Sequence, residues 1–380
     1  MPALVPDPAT VRRHVLPGAL RAGAVGLAVA ALTLASAPVP ASADRGPRHS
    51  DPVTVVAEGL DGPRQISPWG GRLLVAESDS GEVSLVNPSN GRSRVVVDGL
   101  ATPQGVVEHR GRVYVATGEA GPEAGDAEGS SAVLVARPGR EPRVFADLLE
   151  HELEENPDGQ TQFGPDGAPL DALSNPYFLL EDRRRHGFLL VADAGANAVL
   201  AVDGRGRVST FFVPPTVTTG PCAELPNNNA TGVGCDSVPT GLAYGPDGLL
   251  HVSALTAEAP GEGRVWVVDS RGRVVRSHTG FTAPTGVAVD HDGTVYVSEL
   301  LEGAPAGPPP PEADPADIGR IVALAPDGTR SVAEVTMPSG LLHHRGTLWS
   351  AAWAIGGFLG RPGAGQVVKV SDDAFTPLAD

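Results

Sequence analysis

The fold is decided by a stretch that reads Pro239-Thr240-Gly241-Leu242, then Gly245-Pro246-Asp247-Gly248, then Leu249 to Ser253. A proline step, a tight turn and an apolar run follow one another in this order at six places along the chain. The other five proline steps are Pro63-Arg64-Gln65-Ile66, Pro103-Gln104-Gly105-Val106, Pro176-Tyr177-Phe178-Leu179, Pro284-Thr285-Gly286-Val287 and Pro338-Ser339-Gly340-Leu341. Repeats of roughly 40 to 50 residues, each with four short strand-like segments, are typical of β-propeller blades. The chain is therefore predicted to be all-β, a six-bladed β-propeller.

The sixth copy lacks a fourth strand of its own, because few residues follow its third apolar run. The segment from Pro52 to Leu60, at the other end of the chain, resembles the fourth strand of the first copy, Val95 to Leu100. Pairing the two chain ends in one blade would remove the edges that an open array presents. We therefore predict a ring closed by pairing of the N-terminal strand with the last blade.

The segment before the repeat has the composition of an export signal. Arg12 and Arg13 precede the apolar stretch Ala22 to Ala37, which ends close to the small residues Ala41-Ser42-Ala43. The apolar stretch is too short and too rich in alanine to favour a membrane-spanning helix. The predicted organisation is a cleaved signal peptide at 1–43, a flexible N-terminal segment at 44–51 and the propeller at 52–380. The protein is expected to be secreted or extracytoplasmic, through either general secretion or the twin-arginine route.

The chain is acidic, with a formal net charge of −17. The predicted signal peptide contains three arginines and one aspartate, so its removal makes the charge more negative by two. A protein that follows a nucleic-acid backbone needs a positive surface, and an anionic membrane repels a chain of this charge. We expect no nucleic-acid partner and no membrane span. We expect a monomer whose partner is a small molecule, a glycan or a protein.

Cys222 and Cys235 are the only two cysteines, and they lie in a stretch rich in Pro, Asn, Gly and Thr. In an exported protein an isolated pair of this kind is most simply a disulfide bond that fixes one long loop. Closing so short a loop contributes roughly 3 kcal/mol in the chain-entropy model, and the effect is mostly local.

Loop lengths differ between the two faces of the predicted disc. The turns between the first and second strands, and between the third and fourth, are short, and they lie on one face. The long insertions all fall on the opposite face, at 117–131, 149–174, 214–238, 300–318 and 352–364. Long ordered loops gathered on one face usually carry function. We therefore place the working surface on this loop-rich face, over the mouth of the central channel.

The middle residues of the proline steps are expected to point toward the channel mouth and to bind a ligand. This candidate ligand-binding ring consists of Arg64, Gln104, Tyr177, Thr240, Thr285 and Ser339, with Asn175 just ahead of Pro176. All of these side chains can form hydrogen bonds.

Acidic residues end several second strands near the same level, and they are the candidate metal ligands. They are Glu77, Glu119, Asp193 and Glu299. Carboxylates that converge from several blades could hold Ca²⁺ or another divalent cation through oxygen atoms, and no cofactor other than such a cation is expected. The alternative is that each acid accepts backbone N–H groups from an adjacent loop and fixes that loop. Sequence alone leaves both readings open.

Other polar features favour structural roles. No Gly-x-Ser-x-Gly motif appears, so nucleophilic catalysis has little support. His251 lies within a second strand, where a satisfied structural histidine is the more frequent outcome. The insertion at 149–174 is rich in Glu and Asp, and acidic loops of this kind are most often solvated.

Two motifs support a resemblance to a known family. They are Leu173-Ser174-Asn175-Pro176-Tyr177 and Val191-Ala192-Asp193-Ala194-Gly195-Ala196-Asn197, accompanied by Val238-Pro239-Thr240-Gly241-Leu242, Thr279-Gly280-Phe281 and Pro338-Ser339-Gly340-Leu341. This succession resembles the ScyD/ScyE family of exported propellers, and more broadly it is similar to the NHL-repeat and gluconolactonase/regucalcin propellers. The resemblance implies export and a six-bladed fold. Those lactonases use an Asn between Pro and Gly as a metal ligand, whereas the corresponding residues here are Gln104, Thr240, Thr285 and Ser339.

Two functions from different classes are consistent with these features, and the sequence leaves the question of enzymatic activity open. The first is a binding module that engages its ligand with the loop-rich face and the channel mouth. The second is a metal-assisted hydrolase or lyase, similar to a lactonase, that uses the acids around that mouth. Convergence of the Glu77, Asp193 and Glu299 oxygens would favour the enzyme, whereas separate hydrogen bonding in three loops would favour the binding module.

Overall fold

The structure is a computed structural model that describes residues 51–119, 129–182, 188–305 and 314–378. The predicted signal peptide at 1–43, and all but the last residue of the segment at 44–51, lie outside the described residues. Six antiparallel sheets are arranged as six blades, so the predicted six-bladed β-propeller is confirmed.

Each blade has its first strand innermost, and the strand bounds follow the repeat. Blade one contains β2 (Pro63–Trp69), β3 (Arg72–Glu77), β4 (Glu82–Val86) and β5 (Val95–Val97), and blade two contains β6 (Pro103–His109), β7 (Arg112–Thr117), β8 (Ala132–Ala136) and β9 (Arg143–Asp147). Blade three contains β10 (Pro176–Glu181), β11 (Leu189–Asp193), β12 (Ala198–Val202) and β13 (Val208–Phe212), and blade four contains β14 (Pro239–Tyr244), β15 (Leu250–Ala254), β16 (Gly263–Val268) and β17 (Val274–Phe281). Blade five contains β18 (Pro284–Val289), β19 (Val295–Glu299), β20 (Arg320–Leu324), β21 (Arg330–Glu334) and β25 (Thr376–Pro377), and blade six contains β22 (Leu341–His344), β23 (Thr347–Ala352), β24 (Gly365–Val370) and β1 (Val53–Leu60).

The two chain ends close the ring, as the sequence predicts. Strand β1 is the outer strand of blade six and pairs antiparallel with β24, from Val53 opposite Val370 to Leu60 opposite Gly365. Ala57 and Leu60 are buried between blades six and one. One detail was not predicted: the short strand β25 continues past β24 and adds a fifth strand to the outer edge of blade five.

The core consists of apolar side chains packed between neighbouring blades. Inner strands approach each other so closely that a glycine is required in most proline steps. A Cβ atom on Gly340 would lie 2.5 Å from the carbonyl oxygen of Arg64 in blade one, and a Cβ on Gly286 would lie 2.7 Å from the carbonyl oxygen of Ser339. The proline step therefore recurs because the backbones of adjacent blades are in contact around the channel.

One α-helix, α1 (Leu148–Glu155), begins the insertion between blades two and three, and sequence analysis did not predict it. Asp147 caps its N-terminus by accepting the amide of Glu150 at 2.9 Å, and Asn156 ends it in the left-handed conformation with φ 43°. Among the described residues, the other helical segments are short 3₁₀ turns at Gly220–Glu224, Thr256–Glu258, Pro315–Asp317, Gly356–Leu359 and Asp372–Ala374. Within the described ranges, no helix has the length and apolar character needed to cross a bilayer.

Cys222 and Cys235 form the predicted disulfide, with their Cα atoms 5.2 Å apart. Both residues are buried in a small cluster with Val217 and Ala259, apart from the larger clusters between blades. We expect replacement of both cysteines by serine to increase protease cleavage within 214–238 while changing the melting temperature little, because the cross-link constrains one loop. Limited proteolysis and thermal melting of the same sample measure the two effects. A large drop in melting temperature with unchanged cleavage would contradict this expectation.

His251 lies in the middle of β15 and is buried. Burial lowers its pKa to about 4, and the nearby charge of Arg276 acts in the same direction. Because the unfolded chain takes up the proton near pH 6.5, the stability that depends on neutral His251 is complete above about pH 6.5 and is lost as the pH falls toward about 4. In that window we expect the wild type to lose about 1.4 kcal/mol more per pH unit than His251→Gln. Urea unfolding at several pH values measures the difference, and parallel pH profiles would contradict it.

Candidate functional site

The strand order places all five long insertions on one face, because each connects either a second strand to a third or a fourth strand to the next blade. The proline steps begin at that same face, so their middle residues lie at that end of the channel. The described contacts divide the predicted ligand-binding ring into three groups with different surroundings.

Thr240 and Thr285 join neighbouring blades. The Thr240 hydroxyl donates to the carbonyl oxygen of Pro284 at 2.7 Å, and the Thr285 hydroxyl donates to the carbonyl oxygen of Pro338 at 3.0 Å. Both side chains are buried. In each case a proline-step hydroxyl satisfies the carbonyl of the next proline step, so these two residues hold adjacent inner strands together.

Tyr177 and Ser339 form a contact across the channel. Their hydroxyl groups lie 3.2 Å apart, although the residues belong to the opposite blades three and six. Arg64 is buried beside them in the ring, where its guanidinium donates to the carbonyl oxygen of Ala354 and lies 3.8 Å from the carboxylate of Asp79. The insertion at 352–364 therefore covers the one cation of the ring.

Gln104, Asn175 and Glu119 come together between blades two and three, and we call this group the polar corner. The Asn175 Oδ1 atom accepts the Glu119 amide at 3.3 Å. A Cβ placed on Gly118 would lie 2.4 Å from Asn175 Oδ1 and 3.2 Å from Gln104 Nε2, so both amide side chains flank this glycine. Glu119 is exposed, and partial desolvation together with the charge of Asp171 raises its pKa. The Gln104 Oε1 atom is buried and has no hydrogen-bond partner among the described residues.

The other three candidate metal ligands, Glu77, Asp193 and Glu299, each accept hydrogen bonds from an adjacent loop. Asp193 is fully buried and accepts the amides of Asn175 (2.7 Å), Gly195 (3.2 Å) and Ala196 (3.1 Å), as well as the Ser174 hydroxyl (2.7 Å). Burial raises its pKa, and these hydrogen bonds oppose that rise.

Glu77 and Glu299 follow the same pattern in blades one and five. Glu77 accepts the Asp61 amide at 2.8 Å. Glu299 accepts the Thr282 amide at 2.6 Å and pairs with the Arg320 guanidinium at 2.5 Å. Burial raises the pKa of both carboxyl groups. In the part of the chain that the structure describes, no three His, Cys, Asp or Glu side chains form a group that could hold a metal ion.

Gln65 is a channel residue that sequence analysis did not single out. It occupies the position where most proline steps have glycine, and its side chain connects three blades. Its Nε2 atom donates to the carbonyl oxygen of Leu179 at 2.7 Å, and its Oε1 atom accepts the amides of Val106 and Leu179, each at 2.9 Å. The departure from glycine at this position was the sequence signal that could have identified it.

A cavity of about 330 Å³ lies in the channel beyond the ring. It is lined by the second halves of all six inner strands, including Gln65, Glu108, Leu180, Tyr244, Val289 and His344. These residues lead toward the short turns, so the cavity is at the end of the channel opposite the long insertions. The channel thus has a polar ring at the end that carries the long insertions and a cavity of mixed polarity toward the opposite end.

Comparisons with known proteins identify structures with a similar fold, but they do not assign the chain to a family. No family model matches the chain, and no curated protein matches its sequence. Among solved structures, the PQQ-bound aldose sugar dehydrogenase from Streptomyces coelicolor has a TM-score of 0.52 at 14% identity, covering 83% of this chain and 97% of its own. A gluconolactonase from Xanthomonas campestris has a TM-score of 0.51 at 12% identity, covering 84% of this chain and 89% of its own. A calcium-binding protein, regucalcin, from Agrobacterium tumefaciens has a TM-score of 0.50 at 12% identity, covering 83% and 92%.

At these identities the likeness concerns the fold alone. The structural neighbours include six-bladed propellers of the gluconolactonase and regucalcin kind, which agrees with the broader resemblance drawn from the sequence. The chain is a propeller module with this architecture.

Proposed function

We propose that this protein is an extracytoplasmic binding module of the ScyD/ScyE type, which holds a small molecule, a glycan or a protein segment at the polar corner of its loop-rich face. The observation that carries the proposal is the Gln104 Oε1 atom, a buried acceptor without a partner among the described residues, next to an exposed carboxylate. A buried acceptor without a hydrogen bond is costly, and a ligand O–H or N–H group can supply one.

The separate hydrogen bonding of Glu77, Asp193 and Glu299 also supports binding rather than catalysis. Each carboxylate accepts a hydrogen bond from an adjacent loop, and Glu299 already has Arg320 as its counter-ion. A metal-assisted hydrolase or lyase remains the second candidate, because the fold is shared with a gluconolactonase. For that reading, the candidate ligands of Ca²⁺ or another divalent cation are still Glu77, Glu119, Asp193 and Glu299.

The experiment is a screen of the purified protein against a glycan array and a small-molecule library, followed by calorimetric titration of the strongest hit. We expect Gln104→Ala and Glu119→Gln each to weaken binding of that hit about tenfold, which corresponds to about 1.4 kcal/mol for one lost polar contact.

Glu108→Gln is the matched control. Glu108 lies on the same strand as Gln104 but lines the cavity at the other end of the channel. We expect this variant to bind the hit like the wild type. If Glu108→Gln weakens binding and Gln104→Ala does not, the ligand occupies the cavity at the short-turn end and the proposal is wrong.

A further inference from the structure

A second polar cluster lies beneath the loop-rich face, outside the channel. It contains Glu152 in α1, Asn156 at the end of that helix, Asp158 and Gln160 in the following turn, and Asn197 after β11. We call these five residues the insertion network. The acidic composition of this insertion predicts a solvated loop, whereas Glu152 is only 3% exposed and Gln160 and Asn197 are each 7% exposed.

Hydrogen bonds connect the members of the network. The Asn156 Nδ2 atom donates to the carbonyl oxygen of Gln160 at 2.9 Å, and the Gln160 amide donates to Asp158 Oδ1 at 3.0 Å. The Asn197 Nδ2 atom donates to Asp158 Oδ2, also at 3.0 Å. Asn156 in turn donates its backbone amide to the Glu152 carbonyl oxygen at 2.9 Å. The five residues therefore form one connected unit that joins the insertion to blade three.

Four side-chain oxygen atoms in this unit are buried and have no hydrogen-bond partner among the described residues. They are Glu152 Oε2, Asn156 Oδ1, Gln160 Oε1 and Asn197 Oδ1. In each of the three amide side chains the nitrogen atom donates a hydrogen bond, whereas the oxygen atom accepts none from the described residues. The nitrogen of Asn156 donates to Gln160, that of Gln160 to Asp236, and that of Asn197 to Asp158. Buried polar atoms normally have partners, so four unpartnered acceptors in one connected unit indicate a bound species, such as an ion or water, that the described residues do not supply.

The charge around the network is negative. Asp236 accepts Gln160 Nε2 at 2.6 Å, so a further carboxylate borders the network, although within the described residues it does not join Glu152 and Asp158 in one group of three acids around a metal position. None of these three carboxylates forms a salt bridge with the described basic residues. A cation bound among these oxygens would account for both the excess negative charge and the unpartnered acceptors.

We propose that the insertion network is a Ca²⁺ site, separate from the channel mouth, with Glu152, Asp158 and the unpartnered amide oxygens as its donors. All of these donors are oxygens, they include both carboxylates and neutral carbonyl groups, and they lie on a helix end and two loops. Ca²⁺ favours this donor set and tolerates irregular geometry, whereas Mg²⁺ demands a near-octahedral arrangement. Bound there, the ion would tie the insertion at 149–174 to the turn after β11.

The test uses the purified protein freed of divalent cations with EDTA and then titrated with calcium chloride in a calorimeter. We expect a single class of binding, and we expect Glu152→Gln and Asp158→Asn each to weaken it at least tenfold. Asp166→Asn is the matched control, because Asp166 lies in the same insertion and the substitution removes the same charge. Within the described residues, the Asp166 carboxylate accepts a hydrogen bond from the Ala168 amide and is not part of the network. We expect this variant to bind calcium like the wild type.

Thermal melting separates a metal ligand from a merely structural residue. In EDTA, the Glu152→Gln variant should melt at or above the wild-type temperature, because the substitution removes an uncompensated buried charge. When calcium is added, the melting temperature of this variant should rise less than that of the wild type. The proposal is overturned if calcium neither binds nor raises the melting temperature, in which case protonation of Glu152 or water satisfies the network. It is also overturned if Glu77→Gln or Glu299→Gln, and not the network variants, abolish the response, because the ion then lies at the channel mouth.

Discussion

Deleting residues 51–60 is expected to lower the free energy of unfolding by more than about 4 kcal/mol, because it removes the strand that closes the ring. Strand β1 pairs with β24 over its whole length, and Ala57 and Leu60 are buried between blades six and one. Without β1, these apolar surfaces and the free edge of β24 become exposed to solvent. Equilibrium unfolding in urea, followed by circular dichroism, measures the loss.

Truncation after Phe375 is the control for this deletion. It removes the short strand β25, whose residues Thr376 and Pro377 are exposed and pair only with the outer edge of blade five. Both variants shorten a chain end and remove one paired strand, but only the first opens the ring. Equal stability of the two truncated proteins would show that closure contributes little.

Asp193→Ala is expected to cost about 3 kcal/mol, because it leaves several buried donors without an acceptor. One carboxylate accepts three backbone amides and the Ser174 hydroxyl, and it is fully buried. One of these amides belongs to Asn175, so the substitution should also displace the polar corner and weaken binding there. Urea unfolding measures the stability, and titration of the screened ligand measures the effect on the corner.

Asp203→Ala in the same blade is the comparison for Asp193→Ala. Asp203 also accepts backbone amides, from Arg205 and Arg207, but it lies in a solvated turn, where water replaces the lost acceptor. We expect its effect on stability to be much smaller. If the two substitutions destabilise the protein equally, burial of Asp193 does not set the strength of its contacts.

The architecture was predictable because it depends on a local pattern that is repeated. In most proline steps the backbone packs closely against the next blade, where a Cβ atom would not fit. The glycines at 105, 241, 286 and 340 make this close packing visible in the sequence. The fourth-strand pattern of Val53 to Leu60 was visible for the same reason, and it identified the closing strand correctly.

The site was less predictable because its contacts join segments that are far apart in the chain. Gln65 in blade one donates a hydrogen bond to the carbonyl oxygen of Leu179 in blade three, and the Tyr177 and Ser339 hydroxyl groups contact each other across the channel. Helix α1 was missed because its acidic sequence is also typical of a solvated loop, and only the caps at Asp147 and Asn156 distinguish the two. The use of the ring residues and the mouth acids by a ligand stays a prediction.

The closure of blade six by both chain ends has a consequence for the order of folding. Ser371 donates to the carbonyl oxygen of Pro52, and these two residues are 319 positions apart in the chain. Blades one to four can assemble as they leave the ribosome, but the first strand has no partner until the last repeat has been synthesised. The final step must therefore pair strands from the two ends of the chain, and contacts at such large sequence separation are typical of slow folding. Until then the protein is an open arc with two unprotected edges, and this is the interval in which it is most exposed to aggregation and proteolysis.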